Sequence, residues 1–91
     1  MAEFKVKKVL DGNTFTVTSN WNWQNQQGNR VRLTGYDTPE LHEIGGQRAK
    51  EKLTQLVLGK MVDLRKAYSV DRGRLVCDVY FQGSKLADYL L

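Results

Sequence analysis

The distribution of apolar residues predicts a mainly β domain of α+β type: a five-stranded barrel, a helix between strands three and four, and a short helix at the carboxyl end. Three observations predict it. Apolar residues alternate with a period of two in the early segments. The period changes to that of a helix at Gln47, and alternation returns after Met61.

The 91 residues read as a single domain, 1–91, with room for one modest core. In the first strand Phe4 and Val6 share a face, and the pattern slips across Lys7-Lys8 to Val9-Leu10, as a bulged strand does. Asp11-Gly12-Asn13 is a turn signal, since Gly and Asn accept left-handed conformations. From Thr14 to Thr18 the alternation is clean, with Phe15 and Val17 inward and the threonines outward. Ser19 to Asn29 is expected as a polar loop rich in Asn and Gln, carrying Trp21 and Trp23. Arg30-Val31-Arg32-Leu33-Thr34 alternates again, setting both arginines opposite Val31 and Leu33. These three strands make a meander.

A loop from Asp37 to Gly46 precedes the helix, where Ala49, Leu53, Leu56 and Val57 mark one apolar face and Gly59 the end. Met61 to Arg65 reads as the fourth strand. After an Asp71-Arg72-Gly73 turn, Leu75, Cys77, Val79 and Phe81 point one way in the fifth. Gln82-Gly83-Ser84 is a turn, and Leu86, Tyr89 and Leu90 begin the last helix. Five antiparallel strands with a helix between the third and fourth suit an OB-fold; an SH3-like barrel leaves that helix unexplained.

Composition narrows the chemistry. A net charge of +4 favours a polyanionic partner, nucleic acid before an anionic membrane surface. One cysteine and one histidine disfavour an internal disulfide, a zinc cluster and a serine–histidine triad. No apolar run approaches the roughly 18 residues of a membrane span, and no signal peptide is visible. Localisation and oligomeric state stay open.

The candidate site residues come from separate segments. Arg32 offers a planar fork suited to phosphate oxygens, although a solvated strand arginine looks the same. Pro39 stiffens Asp37-Thr38-Pro39-Glu40, so two carboxylates and a carbonyl lie near an arginine, as a hard cation and a water require. Taken alone, that tetrapeptide is also an ordinary polar turn. Arg72 and Arg74 flank the glycine of the late turn. Trp21 and Trp23 offer either two stacking faces for unpaired bases or a cover for the barrel's open edge. His42 lies beside the candidate site, on the loop.

In order and spacing, Asp11-Gly12-Asn13-Thr14, Val31-Arg32-Leu33, Asp37-Thr38-Pro39-Glu40, Gly46 to Gly59 and Gly73-Arg74-Leu75 resemble the staphylococcal nuclease family, from about Val6 to the carboxyl terminus. The resemblance implies that Arg32 and Arg74 contact the scissile phosphate and that Glu40 orients or deprotonates the attacking water. It implies that Asp37 and the Thr38 carbonyl bind Ca2+, and that the product carries a 3′-phosphate. The implied substrate is single-stranded DNA or RNA.

Three features depart from the family pattern. Asn13 stands where an aspartate ligand is usual, which removes one formal charge and lowers the expected calcium affinity. Arg72 stands where a tyrosine is common, and the pattern's later tyrosines and terminal helix are absent. The sequence therefore supports three readings: a calcium-assisted nuclease, a nucleic-acid-binding OB module without catalysis, and a protein-interaction barrel using the tryptophan loop.

Overall fold

The computed structural model describes residues 2–91. Five long strands and one short one form a single sheet: β1 (Ala2–Asp11), β2 (Thr14–Trp23), β3 (Gln26–Leu33), β4 (Met61–Asp71), β5 (Arg74–Phe81) and β6 (Ser84–Lys85). Helix α1 (Gly46–Val57) lies between β3 and β4, and α2 (Leu86–Leu90) follows β6. The order across the sheet is β3-β2-β1-β4-β5-β6, and an additional β3–β5 pairing closes the first five strands into a barrel. That closure is parallel, matching Arg30 to Arg74 and Leu33 to Cys77, so the strands are not all antiparallel. The expected bulge is present: the β1–β2 register shifts between Val6 and Lys8. Beside it, the Val6 N–H donates to the Lys60 carbonyl and the Val6 carbonyl accepts from Gly59 N–H, tying the exit of α1 to β1.

The interior follows the predicted faces. Phe15, Val17, Val31, Leu33, Val62 and Leu64 are buried, as are Leu75, Cys77, Val79 and Phe81 along β5. Leu53 and Val57 of α1 and Leu86 and Leu90 of α2 join the same core. Burial, and then the charge of Asp78, pushes the Cys77 thiol up to about 12, so this cysteine is a small apolar filler in the barrel. The Tyr89 hydroxyl donates to the Phe81 carbonyl at 2.9 Å while the two rings meet edge to face, which seats α2 on β5.

Several sequence expectations are corrected. Residues 19–29 are no loop, because β2 and β3 continue as a hairpin to a turn at Gln24-Asn25. Both turn residues have positive φ, as do Arg72-Gly73 and Gln82-Gly83, the twist that two-residue hairpins need. Asn and Gln side chains decorate the exposed faces of that hairpin, so their polarity read as loop. Likewise β4 runs to Asp71 rather than Arg65, and Ser84 belongs to β6. Thr14 pairs with Arg32 and so stands on the outer face as expected, yet it is only 2 % exposed, its hydroxyl donating to Asn13 Oδ1. Gly12 and Asn13 do not take positive φ. Close approach explains Gly12: a Cβ there would meet Ala49 Cβ at 2.7 Å and Thr38 Oγ1 at 2.8 Å.

Candidate active site

Parallel closure of β3 on β5 makes the site possible. Arg32 faces Val76 across that pairing and Arg30 faces Arg74, so Arg32 and Arg74 are diagonal neighbours on adjoining strands. Both side chains are shielded along their stems, at 24 % and 20 % exposed. Each guanidinium is oriented by a carboxylate. Arg32 Nη2 donates to Asp37 Oδ1 at 2.6 Å, while Arg74 donates to the Asp71 carboxylate at 2.9 Å and to its carbonyl at 3.2 Å. Asp37 and Asp71 are themselves well exposed, so these pairs hold direction more than they add stability.

A cleft of about 390 Å³ opens beside the arginines. Asn13, Thr38, Glu40, Arg72 and Arg74, expected from three separate segments, line it together. Arg32 and Asp37 are not among its lining residues; they form an ion pair, Asp37 preceding Thr38 of the wall in the chain. Asp11, Pro39, Leu41 and His42 complete the wall. The Glu40 carboxylate is 73 % exposed and lies 3.8 Å from His42 Nδ1. Its backbone is more tightly held. Glu40 N–H donates to Glu43 Oε1, Glu43 N–H donates back to the Glu40 carbonyl, and a Cβ at Gly46 would collide with that same carbonyl. The start of α1 therefore sets the position of Glu40, and only glycine leaves room for it.

Asn13 is 7 % exposed and works as a clamp. Its Nδ2 donates to the Tyr36 carbonyl at 2.9 Å, its Oδ1 accepts from the Thr14 hydroxyl, and its backbone N–H donates to Asp11 Oδ1. An aspartate could not donate to Tyr36, so the amide fastens the β1–β2 turn to the segment that carries Asp37. As donors for a hard cation, the Asn13 Oδ1, the Thr38 carbonyl and the Asp37 carboxylate are right in kind, all being oxygens. They are poor in charge: Asp37 is the single carboxylate of the three, and Arg32 already bonds it. Among the described residues, no three His, Cys, Asp or Glu side chains gather as a metal-holding group.

The tryptophans divide. Trp21 is 1 % exposed, its Nε1 donates to the Arg30 carbonyl at 2.8 Å, and its ring lies over Gly28, where a Cβ would sit 2.9 Å from it. Trp21 is therefore not a stacking face for bases; it packs the hairpin onto the core. Trp23 is half-buried against the same cluster. Sequence reasoning left Asp11 out of the site because turn chemistry explains an aspartate there, and the Asn13 N–H bond bears that local role out. His42 carried no signal beyond its nearness to Glu40.

No family model matches the chain. Among curated proteins it is 33% identical over 78 residues to an uncharacterized endonuclease of Haemophilus influenzae, covering 86% of this chain and 42% of that protein. It is 40% identical over 63 residues to a probable staphylococcal-like nuclease CAN1 of Oryza sativa subsp. japonica, covering 68% of this chain and 19% of the relative. The staphylococcal-like nuclease CAN1 of Arabidopsis thaliana is 36% identical over the same length. The chain spans less than half the length of each of these relatives. Relatives with these names, together with a closed five-stranded barrel that carries a helix between strands three and four, show that the chain belongs to the staphylococcal-nuclease-like family.

Proposed function

We propose that this nuclease-like domain hydrolyses phosphodiester bonds of single-stranded DNA or RNA, as an endonuclease, in the cleft between Glu40 and Arg74. One observation carries the reading: Glu40 and Arg74 line a single polar cleft, with the Arg32 guanidinium on the strand next to Arg74. The Glu40 carboxylate takes a proton from a water molecule as the water oxygen attacks phosphorus. The bond to the 5′ oxygen breaks, and the departing 5′ oxygen takes up a proton from solvent, leaving a 3′-phosphate and a 5′-hydroxyl. Charge grows on the phosphoryl oxygens as this happens. Two guanidinium forks already oriented by Asp37 and Asp71 meet that charge without reorganising. Asp37, the Thr38 carbonyl and Asn13 Oδ1 would hold Ca2+, which when bound would supply further positive charge at the phosphate.

The test is cleavage of single-stranded DNA and RNA by the wild-type protein, Glu40→Ala and Arg74→Ala, each with calcium and with a chelator. Each variant should lose about 10²–10³-fold in kcat. Wild-type cleavage no faster than that of Glu40→Ala would remove the enzymatic reading. Equal rates with calcium and chelator would remove the cation from it.

A further inference from the structure

We propose that a row of cationic side chains crossing the outside of the barrel binds the phosphate backbone of a single-stranded polynucleotide on its way out of the cleft. The inference rests on the nuclease reading above and extends it to residues outside the cleft.

The row is written in the strand register. Lys8 of β1 pairs with Thr16 of β2, Thr16 with Arg30 of β3, and Arg30 with Arg74 of β5. Residues paired across strands stand on the same face. That face is the outer one, because the neighbours Val9, Phe15, Val17, Val31 and Leu75 all point into the core. With strands about 4.8 Å apart, three steps carry the row roughly 14 Å from Arg74 around the barrel wall. Lys8 and Arg30 are both exposed, and Thr16 between them is half-buried.

Charge complementarity identifies the ligand. Among the described residues neither Lys8 nor Arg30 is in an ion pair, and Lys7, exposed by the bulge beside Lys8, adds to the same edge. Of the acidic groups near the row, Asp71 and Asp37 are each bonded to a site arginine, and Asp11, in the cleft wall, accepts from the Asn13 N–H. Lys8, Thr16, Arg30 and Arg74 at successive strand positions, three cations and one neutral hydroxyl, form a track one residue wide. Such a track suits one phosphodiester chain, whose binding releases counterions at each contact. Stacking on aromatic rings contributes nothing along this row, since it holds no aromatic residue.

The experiment measures affinity of a fluorescein-labelled oligothymidylate, and of a duplex, as a function of salt. Proteins compared are Glu40→Ala, the triple variant Glu40→Ala/Lys8→Gln/Arg30→Gln, and Glu40→Ala/Lys66→Gln/Lys85→Gln, whose changes lie off the row. The row variant should show a salt slope smaller by about 1.4, two contacts at about 0.7 each for a single strand. The off-row variant should keep the parent slope. An unchanged slope in the row variant overturns the inference even if the wild-type protein cleaves DNA. Salt-dependent binding that weakens as expected, in a protein that never cleaves, supports the track while the catalytic reading fails. Equal losses on the duplex overturn the single-strand assignment, and no salt-dependent binding in the parent overturns the track altogether.

Discussion

The far end of the β2–β3 hairpin and the mouth of the cleft teach opposite lessons. At the hairpin end, two tryptophans in a run of Asn and Gln suggested a surface for ligands, yet Trp21 is sealed over Gly28 with its indole N–H bonded inside the protein. At the mouth, each contributing segment looks like an ordinary turn or a solvated strand, yet Asn13, Thr38, Glu40 and Arg74 meet in one cleft. Chemically conspicuous residues thus served packing, while plain ones were gathered into a site. Polarity and aromaticity report what a side chain is able to do; register and closure decide what it faces.

The sharpest way to break this contrast is Trp21→Ala. If the ring is a structural plug, truncation should cost about 3–5 kcal/mol, read as a fall in the urea midpoint. The salt slope of oligonucleotide binding by the folded protein should stay as it is. A stable variant with weakened binding would return Trp21 to the ligand surface.

Asn13→Asp probes the mouth. It removes the donor to the Tyr36 carbonyl and sets a carboxylate beside that oxygen, so stability should drop by about 1–3 kcal/mol without calcium. Added calcium should recover part of the loss, because a ligand that binds only the native state stabilises it. Thermal melts with calcium and with a chelator decide the matter. Equal melting of the two proteins in the chelator would mean that the amide clamp is dispensable.

The smallest effect is expected at Thr34, just beyond β3, where a buried hydroxyl has no hydrogen-bond partner among the described residues. Thr34→Val should change stability by no more than about 0.5 kcal/mol, or raise it, since no bond is lost. A clear destabilisation in the same denaturant series would reveal a partner for that hydroxyl.

Much of the fold was legible. Alternation located the core faces of β2, β3 and β5, and the slip at Lys7-Lys8 marked a bulge before any pairing was known. The hairpin beyond Ser19 was missed because its inward positions are sparse, Trp21 being the main one, so period-two alternation is weak there. Helix α1 was placed to within a residue, since Leu53 and Val57 sit one helical turn apart on a buried stripe. The site was legible as a set of residues in motif order, and less so as a geometry. Nothing local says that Asp37 spends its carboxylate on Arg32, or that Asn13 spends its amide on Tyr36. Both bonds join segments whose approach depends on packing.

By itself the sequence determined the central parts of five strands, the helix between the third and fourth, most of the apolar faces and the basic charge. These follow from the spacing of neighbouring side chains, which a linear chain records directly. Tertiary structure alone decided that β3 closes on β5 in parallel, which sets Arg30 beside Arg74 and Arg32 one step away. It also decided that Gly12 and Gly46 let the turns close onto Thr38 and Glu40. Those are contacts between distant segments, created when the barrel shuts, and no local pattern carries them.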